Sequence, residues 1–499
     1  MQFNSLNFLF FFLVFYSLYL VLWKSHRLQN IWLLVASYVF YAFWDWRFLL
    51  VIISITAVSY LTGLGLGTFS TKEQARPHLR RLMLGLGTLF NLGTLVFFKY
   101  AEFFTAGLQR IFTQVNLPLD PLLVNIILPV GLSFYTLQAC SYLLDVSARR
   151  IQPTRNVVEF ALFIAFFPQL LAGPIERAGR MLPQFHQVRK LTPMGISAGI
   201  YLLFSGFFKK LVIADNLGVI VDTIFNSYTS YQGIDLLFAV LAFTFQLYAD
   251  FSAYSDIARG LARLLGFELM VNFRLPYFSA SPAEFWSRWH ISLSEWLRDY
   301  IFFPLRRLFL RWKHPAGKIV GLLIPPLVTM LVSGFWHGTG WNFILWGLYH
   351  GLLLILYQVL VKERPGAPAS RPQTVQVPVF GRVWSWLLPR LSLSLRIMFM
   401  FALVAFGWLI FRVESREQFT YFITHLSLEA TAQSATTWAN LVLFSLPLVV
   451  VQIAQQARND LLVLSRLPIM LRAFLYATAL ALIIVLGVRQ ASEFIYVQF

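Results

Sequence analysis

Long apolar runs recur from one end of this chain to the other, separated by short loops that carry Lys and Arg. A run of about 20 apolar residues matches the hydrocarbon thickness of a bilayer, and in that medium backbone groups are satisfied only within helices or closed barrels. Strand-like alternation is missing from the runs, so the chain reads as an all-α polytopic membrane protein. Composition agrees: 58% of the 499 residues are hydrophobic and only 12% charged, against about 25% charged in ordinary globular domains. A soluble fold would lack the polar residues to cover its surface.

The formal charge of +18 raises the question of nucleic acid, and its placement answers it. Basic residues sit in clusters between apolar runs: Lys24 and Arg27; Lys72, Arg76, Arg80 and Arg81; Arg149, Arg150 and Arg155; then a set from Arg298 to Lys318. Such clusters mark the cytoplasmic side and meet anionic headgroups. A nucleic-acid surface would need a solvated basic face with reading elements, and the sequence shows none. The single cysteine, Cys140, excludes a disulfide within the chain and lies in apolar surroundings suited to packing.

Taken in order, Phe8 to Trp23 reads as a retained first helix with its N-terminus outside, because charge follows it rather than precedes it. Ile31 to Trp44, Leu49 to Leu66 and Leu82 to Phe98 are the next spans. Leu122 to Val146 should break at Pro129-Val130-Gly131. Val157 to Leu171 is short and has basic flanks on both sides, which predicts a re-entrant segment. Ile196 to Ala214 follows, and then Leu236 to Leu265, too long for one ordinary span.

Glu284 to Leu297 should form an amphipathic stretch with Phe285, Trp289, Leu293, Trp296 and Leu297 on one face. Val320 to Phe335, Asn342 to Val361, Leu391 to Phe411, Ala439 to Ile453 and Ala473 to Val488 complete about 11 to 13 transmembrane or re-entrant segments. Residues 362–378 read as a cytoplasmic linker-like loop. The whole, 1–499, is expected to be a single membrane-embedded domain.

Chemistry concentrates between Glu284 and Gly351. An ionisable residue in an apolar segment is a functional candidate because it costs free energy unless paired or solvated. His337 stands in Phe335-Trp336-His337-Gly338, where a glycine break frees backbone groups that need a polar cavity. His290 follows Trp286 and Trp289, and can be read either as functional or as an interfacial histidine. His314 reads as a loop residue, and His350 as a partner in an interhelical hydrogen bond.

Asp250 and Asp256 are six residues apart, roughly 600° around a helix, and should bond to neighbouring helices rather than share a metal. No His-x3-His or cysteine spacing supports a metal site, and no nucleophile motif stands out. Histidine general acid and base chemistry remains, and a transporter with His337 lining a polar path remains beside it.

Several segments resemble the membrane-bound O-acyltransferase family, closest to its bacterial branch serving alginate O-acetylation. They are Asp250-Phe251-Ser252-Ala253-Tyr254-Ser255-Asp256, the run from Glu284 to Ser294, Phe335-Trp336-His337-Gly338 and Trp346-Gly347-Leu348-Tyr349-His350-Gly351. Leu128-Pro129-Val130-Gly131, Ala172-Gly173-Pro174, Phe207-Phe208-Lys209-Lys210 and the terminal Tyr496-Val497-Gln498-Phe499 fit as well. The sequence departs from that branch at Arg306-Arg307-Leu308-Phe309-Leu310-Arg311, where relatives carry a Gly-Gly-Asn-Arg-like turn.

The resemblance implies helices and re-entrant segments around a central tunnel, with His337 catalytic and His290 its companion. Trp286, Trp289, Trp336, Asn342 and Asp250 are then expected to line the substrate passage. It implies an acyl thioester donor such as acetyl-CoA with no bound cofactor, and an exported polysaccharide such as alginate or cellulose as acceptor. Extracytoplasmic acetyltransferase proteins would be partners, and the bacterial inner membrane the location. D-alanylation of teichoic acid is the alternative acyl chemistry.

Overall fold

The computed structural model describes residues 1–68, 76–114, 127–312, 314, 316–360, 379–488 and 494–495. The expected start of the fifth span at Leu122, the linker 362–378 and the terminal Tyr496 to Phe499 lie outside the described residues. Every regular element among them is helical, and ten helices there are long and apolar enough to cross a membrane. The chain is a multi-pass membrane protein. Leu6, Phe10 and Val21 on the first helix, and Ile484 and Val485 on the last, are exposed, as expected of side chains whose solvent is lipid.

The helices gather into two compact units, interleaved in sequence: Met1–Asp215, Ala249–Val271 and Leu462–Phe499 form the first, Asn216–Tyr248 and Asn272–Leu461 the second. In chain order the elements are α1 (Leu6–Val21), α2 (His26–Ala42), α3 (Phe48–Thr68), α4 (Pro77–Gln114), α5 (Leu132–Ser147), α6 (Val157–Ala165), α7 (Ala178–His186) and α8 (Pro193–Phe208). Then come α9 (Asp215–Asn226), α10 (Ile234–Leu264), α11 (Pro282–Arg288), α12 (Ile291–Leu297) and α13 (Phe303–Leu310). The last are α14 (Gly317–His337), α15 (Trp341–Leu360), α16 (Val379–Arg412), α17 (Arg416–His425), α18 (Ser434–Arg458) and α19 (Ile469–Leu486).

In the first unit, α3, α4 and α5 pack on one another, and α6 lies against α2 and α3. α5 begins where the proline break was expected. Gly131 caps it at φ 77, and a Cβ there would come within 2.3 Å of the Leu170 carbonyl oxygen. The nine residues of α6 reach only about 14 Å, less than half a bilayer core of about 30 Å. Irregular chain from Phe166 to Ala172 follows, fully buried.

Non-helical backbone is tolerated at such depth only where protein satisfies it, and here it does. Phe167 donates its N–H to Ser37 Oγ at 3.2 Å, and the Gln138 amide donates to the Phe163 carbonyl. The length and burial match the re-entrant expectation.

The run Leu236 to Leu265 falls in one continuous 31-residue helix, α10 (Ile234–Leu264), about 46 Å long and so longer than one ordinary span, as expected. One element differs from expectation. Glu284 to Leu297 is two short helices, α11 and α12, with Trp289 and His290 between them. The five residues placed on its apolar face are nevertheless all buried.

In the second unit α14 and α15 form a tight helical hairpin, with α11 and α16 packed on α15. Gly334 allows that closeness: a Cβ there would lie 2.2 Å from the Phe343 carbonyl oxygen. Small residues give membrane helices their contact in just this way.

Candidate active site

His337 is the last residue of α14, and Gly338 leaves the helix in an extended conformation. The turn Gly338-Thr339-Gly340 returns the chain into α15. His337 is only 3% exposed and sits in an aromatic box. Its ring is 4.8 Å from Trp336, 5.3 Å from Trp346 and 5.3 Å from Phe411, all near-perpendicular. Trp346 is stacked on Trp408 at 5.9 Å. Nonpolar walls of this kind exclude water and strengthen whatever electrostatic contact a substrate makes inside.

His290 meets the same wall from α11 and α12. Its ring is 6.0 Å from Trp336, so one indole borders both histidines. His290 has φ 42 and ψ 53, the left-handed region, which costs a non-glycine residue about 1 kcal/mol or more. Asn272 offsets that cost. Its carbonyl accepts from Ile291 N–H at 2.9 Å, and its side-chain oxygen accepts from Ser292 N–H at 3.2 Å and from Ser292 Oγ at 2.8 Å.

Upstream, α11 is capped by Ser281 Oγ on Glu284 N–H at 3.2 Å, and Glu284 holds Arg288 at 2.6 Å. His290 is therefore fixed from both sides. Burial pushes its pKa down to about 3, so its imidazole is neutral at any physiological pH.

The sequence candidates divide as follows. Trp336 separates the two histidines. Trp289 is buried between Phe273, Phe285 and Trp408, with Trp408 at 4.7 Å. Trp286 lies 5.7 Å from Trp346. Asn342 donates to the Phe411 carbonyl at 2.8 Å, joining the start of α15 to the end of α16. Asp250 belongs to the first unit, where it accepts from Lys210 Nζ at 2.9 Å and from Ile495 N–H at 2.8 Å. Lys209 binds Asp256 at 2.7 Å, so both aspartates join helix to helix, as expected. His314 is exposed, its Nδ1 accepting from Ala316 N–H.

His350 departs from expectation. It was assigned an interhelical hydrogen bond, yet neither ring nitrogen has a partner among the described residues. Aromatic rings surround it instead: Trp346 at 5.0 Å, Trp286 at 5.1 Å and Phe285 at 6.2 Å. Sequence reasoning also missed Trp408, Phe411 and Asn272. The first two are apolar residues of a span and carry no local signal; Asn272 lies 18 positions before the residue it positions.

The profile of the family described as MBOAT, membrane-bound O-acyltransferase, matches residues 39–398. A probable alginate O-acetylase from Pseudomonas aeruginosa is 38% identical over 417 residues, covering 83% of this chain and 72% of that protein. A peptidoglycan O-acetyltransferase from Helicobacter pylori is 32% identical over 423 residues, 79% of this chain and 73% of its own length. A teichoic acid D-alanyltransferase from Bacillus subtilis is 26% identical over 294 residues, covering 58% and 69%.

Proposed function

This chain belongs to the membrane-bound O-acyltransferase family and is an O-acyltransferase; from that premise we propose that it moves an acetyl group from a cytoplasmic thioester, acetyl-CoA, to hydroxyls destined for an exported polysaccharide. Support for acetyl comes from the relatives: those named O-acetylases or O-acetyltransferases align at 32% identity or more, the D-alanyltransferase at 26% over less of the chain. The acetyl group either reaches the glycan directly or passes to an extracytoplasmic partner. By the charge of its loops, the protein lies in the bacterial inner membrane with its basic segments inside.

One observation carries the mechanism: a buried histidine at a broken hairpin, His337, shares a tryptophan wall with a second histidine held neutral. His337 takes the proton of the acceptor hydroxyl as its oxygen attacks the thioester carbonyl. Neutral His290 donates a hydrogen bond to the carbonyl oxygen as negative charge develops there. The C–S bond breaks, the ester forms, and the imidazolium of His337 returns its proton to the leaving thiolate. No charge is left behind.

The test is acetyl transfer and thiol release by the full chain in lipid nanodiscs. Wild-type protein should release thiol in step with acceptor acetylation, and His337→Ala should do neither. Wild-type rates in the variant would remove His337 from this role. Movement of glycan with no thiol release would favour a transporter.

A further inference from the structure

A polar cavity of about 360 Å³ lies in the second unit, between the α9–α10 turn and the segment joining α17 to α18. That volume is at the lower end of small-molecule sites. Its walls are built rather than incidental. Gly233 N–H donates to the His425 carbonyl at 2.9 Å, and Ile234 N–H to the Glu429 carbonyl at 3.0 Å. The Tyr421 hydroxyl donates to the Tyr231 carbonyl at 3.0 Å and reaches that of Thr229 at 3.2 Å.

Asp235 lines this cavity and is 1% exposed. One carboxylate oxygen accepts from the Thr431 hydroxyl. The other has no hydrogen-bond partner among the described residues. A buried carboxylate oxygen is destabilising until a donor meets it, so the site calls for a ligand with hydroxyl or amine hydrogens.

The remaining lining fits such a ligand. Tyr231 and Tyr421 offer ring faces, Gln232 and Gln433 offer amides, and no Lys, Arg or His is among the described lining residues. An anionic group would stand beside Asp235 with no cation to hold it.

The cavity lies toward the end of the second unit that carries His337. The α14–α15 turn, the end of α16 and α17 meet there: Trp341 lies 6.2 Å from Phe419, and Asn342 is bonded to Phe411. Tyr421 is two residues beyond Phe419.

We propose that this cavity docks a glycan free of anionic groups, neutral or amino-substituted, through Asp235. It therefore selects against polyuronate and phosphate-bearing chains as acceptors. The inference rests on the O-acyltransferase reading and adds to it the class of acceptor.

The experiment titrates the full chain in nanodiscs with cello-oligosaccharides, chitosan oligosaccharides and oligomannuronate at constant ionic strength. Saturation-transfer NMR and calorimetry read the binding. Uncharged or amino oligomers should bind, oligomannuronate should not, and Asp235→Asn should weaken binding tenfold or more. Gln433→Ala, an exposed position, should weaken it severalfold and keeps the test valid if the first variant does not fold.

Equal binding of oligomannuronate would overturn the proposal, as would unchanged binding in both variants or no binding of the uncharged oligomers. Thiol release from acetyl-CoA is measured on the same preparations. In the wild-type protein, absence of thiol release with binding intact would count against the enzymatic reading, and absence of oligosaccharide binding with thiol release intact against the docking site.

Discussion

Two clusters, one in each unit, bury polar groups by opposite means. In the first, charges are matched: Lys210 lies 2.9 Å from both Asp215 and Asp250, with the Phe494 ring 4.6 Å from its ammonium, while Lys209 reaches Asp256 and Ser252. An irregular helical turn over Lys209–Ala214 lets two successive lysines engage carboxylates of α10, a use of widened turns seen at specialised sites. In the second unit, three imidazoles are buried among tryptophan and phenylalanine rings. Matched ions answer each other's charge within the protein, whereas rings around an imidazole supply no charge of their own. Structure should fail when the first arrangement is broken, and catalysis when the second is.

The largest expected effect is on catalysis. His337→Ala should lower acyl transfer by about 10²- to 10⁴-fold, the range for removing a general base. The melting temperature in detergent should fall by much less than the activity, since the rings around His337 also pack on one another, as Trp346 does on Trp408 and Phe411. A protein that unfolds instead would mean that His337 is part of the packing, and the contrast between the units would lose its basis.

Breaking the ionic lattice should do the reverse. Lys210→Met leaves Asp250 and Asp215 facing each other without their shared cation. Removing one partner of a buried pair costs about 3–5 kcal/mol, enough to deplete the folded fraction of a marginally stable protein. Thermal unfolding followed by size-exclusion chromatography measures it. Any folded remainder should retain its turnover per molecule; a fully folded variant with no activity would move Lys210 into the catalytic machinery.

Much of this contrast was legible in the sequence because membranes make polar residues conspicuous. Lys209, Lys210, Asp250, Asp256, His290 and His337 all stand out in apolar surroundings; helix-to-helix bonding was expected of the two aspartates, while the pairing of His337 with His290 came from the family resemblance. What escaped was set by distant contacts. The break at His290 exists because Asn272 holds the following two residues, and nothing at positions 284–297 announces it. Trp408 and Phe411 read as ordinary span residues, since hydropathy cannot separate a ring that faces lipid from one that faces a histidine. His350 was misread because apolar context suggests a hydrogen bond, and only packing reveals that rings surround it.

A smaller effect comes from the charge state of His290. Its folded pKa, about 3, lies below the ordinary value near 6.5, so the neutral form is favoured by folding. That contribution is complete above pH about 6.5 and is lost progressively as pH falls toward 3, where the unfolded chain takes up a proton that the folded chain resists. Melting temperatures between pH 8 and 4 should fall for the wild type, and fall less for His290→Gln. Parallel curves would assign the acid sensitivity to other groups. In the matched lattice of the first unit the same substitution logic gives no such relief, because a neutralised partner strands its counter-ion.

The smallest effect separates positioning from chemistry. Asn342 touches the Phe411 carbonyl, and the Phe411 ring touches His337 at 5.3 Å. Losing one neutral hydrogen bond costs about 1 kcal/mol, which stability measurements would barely register. Its consequence for geometry is larger than its consequence for stability, because Asn342 fixes the end of α16 that walls the imidazole. Asn342→Ala should therefore lower kcat severalfold with KM for the thioester nearly unchanged, and Asn342→Asp should lower it further by setting a carboxylate against the carbonyl oxygen. A change confined to KM would place Asn342 on the donor itself. Unchanged kinetics in both would show that the wall around His337 does not depend on this contact, and that α14 and α15 alone hold the ring.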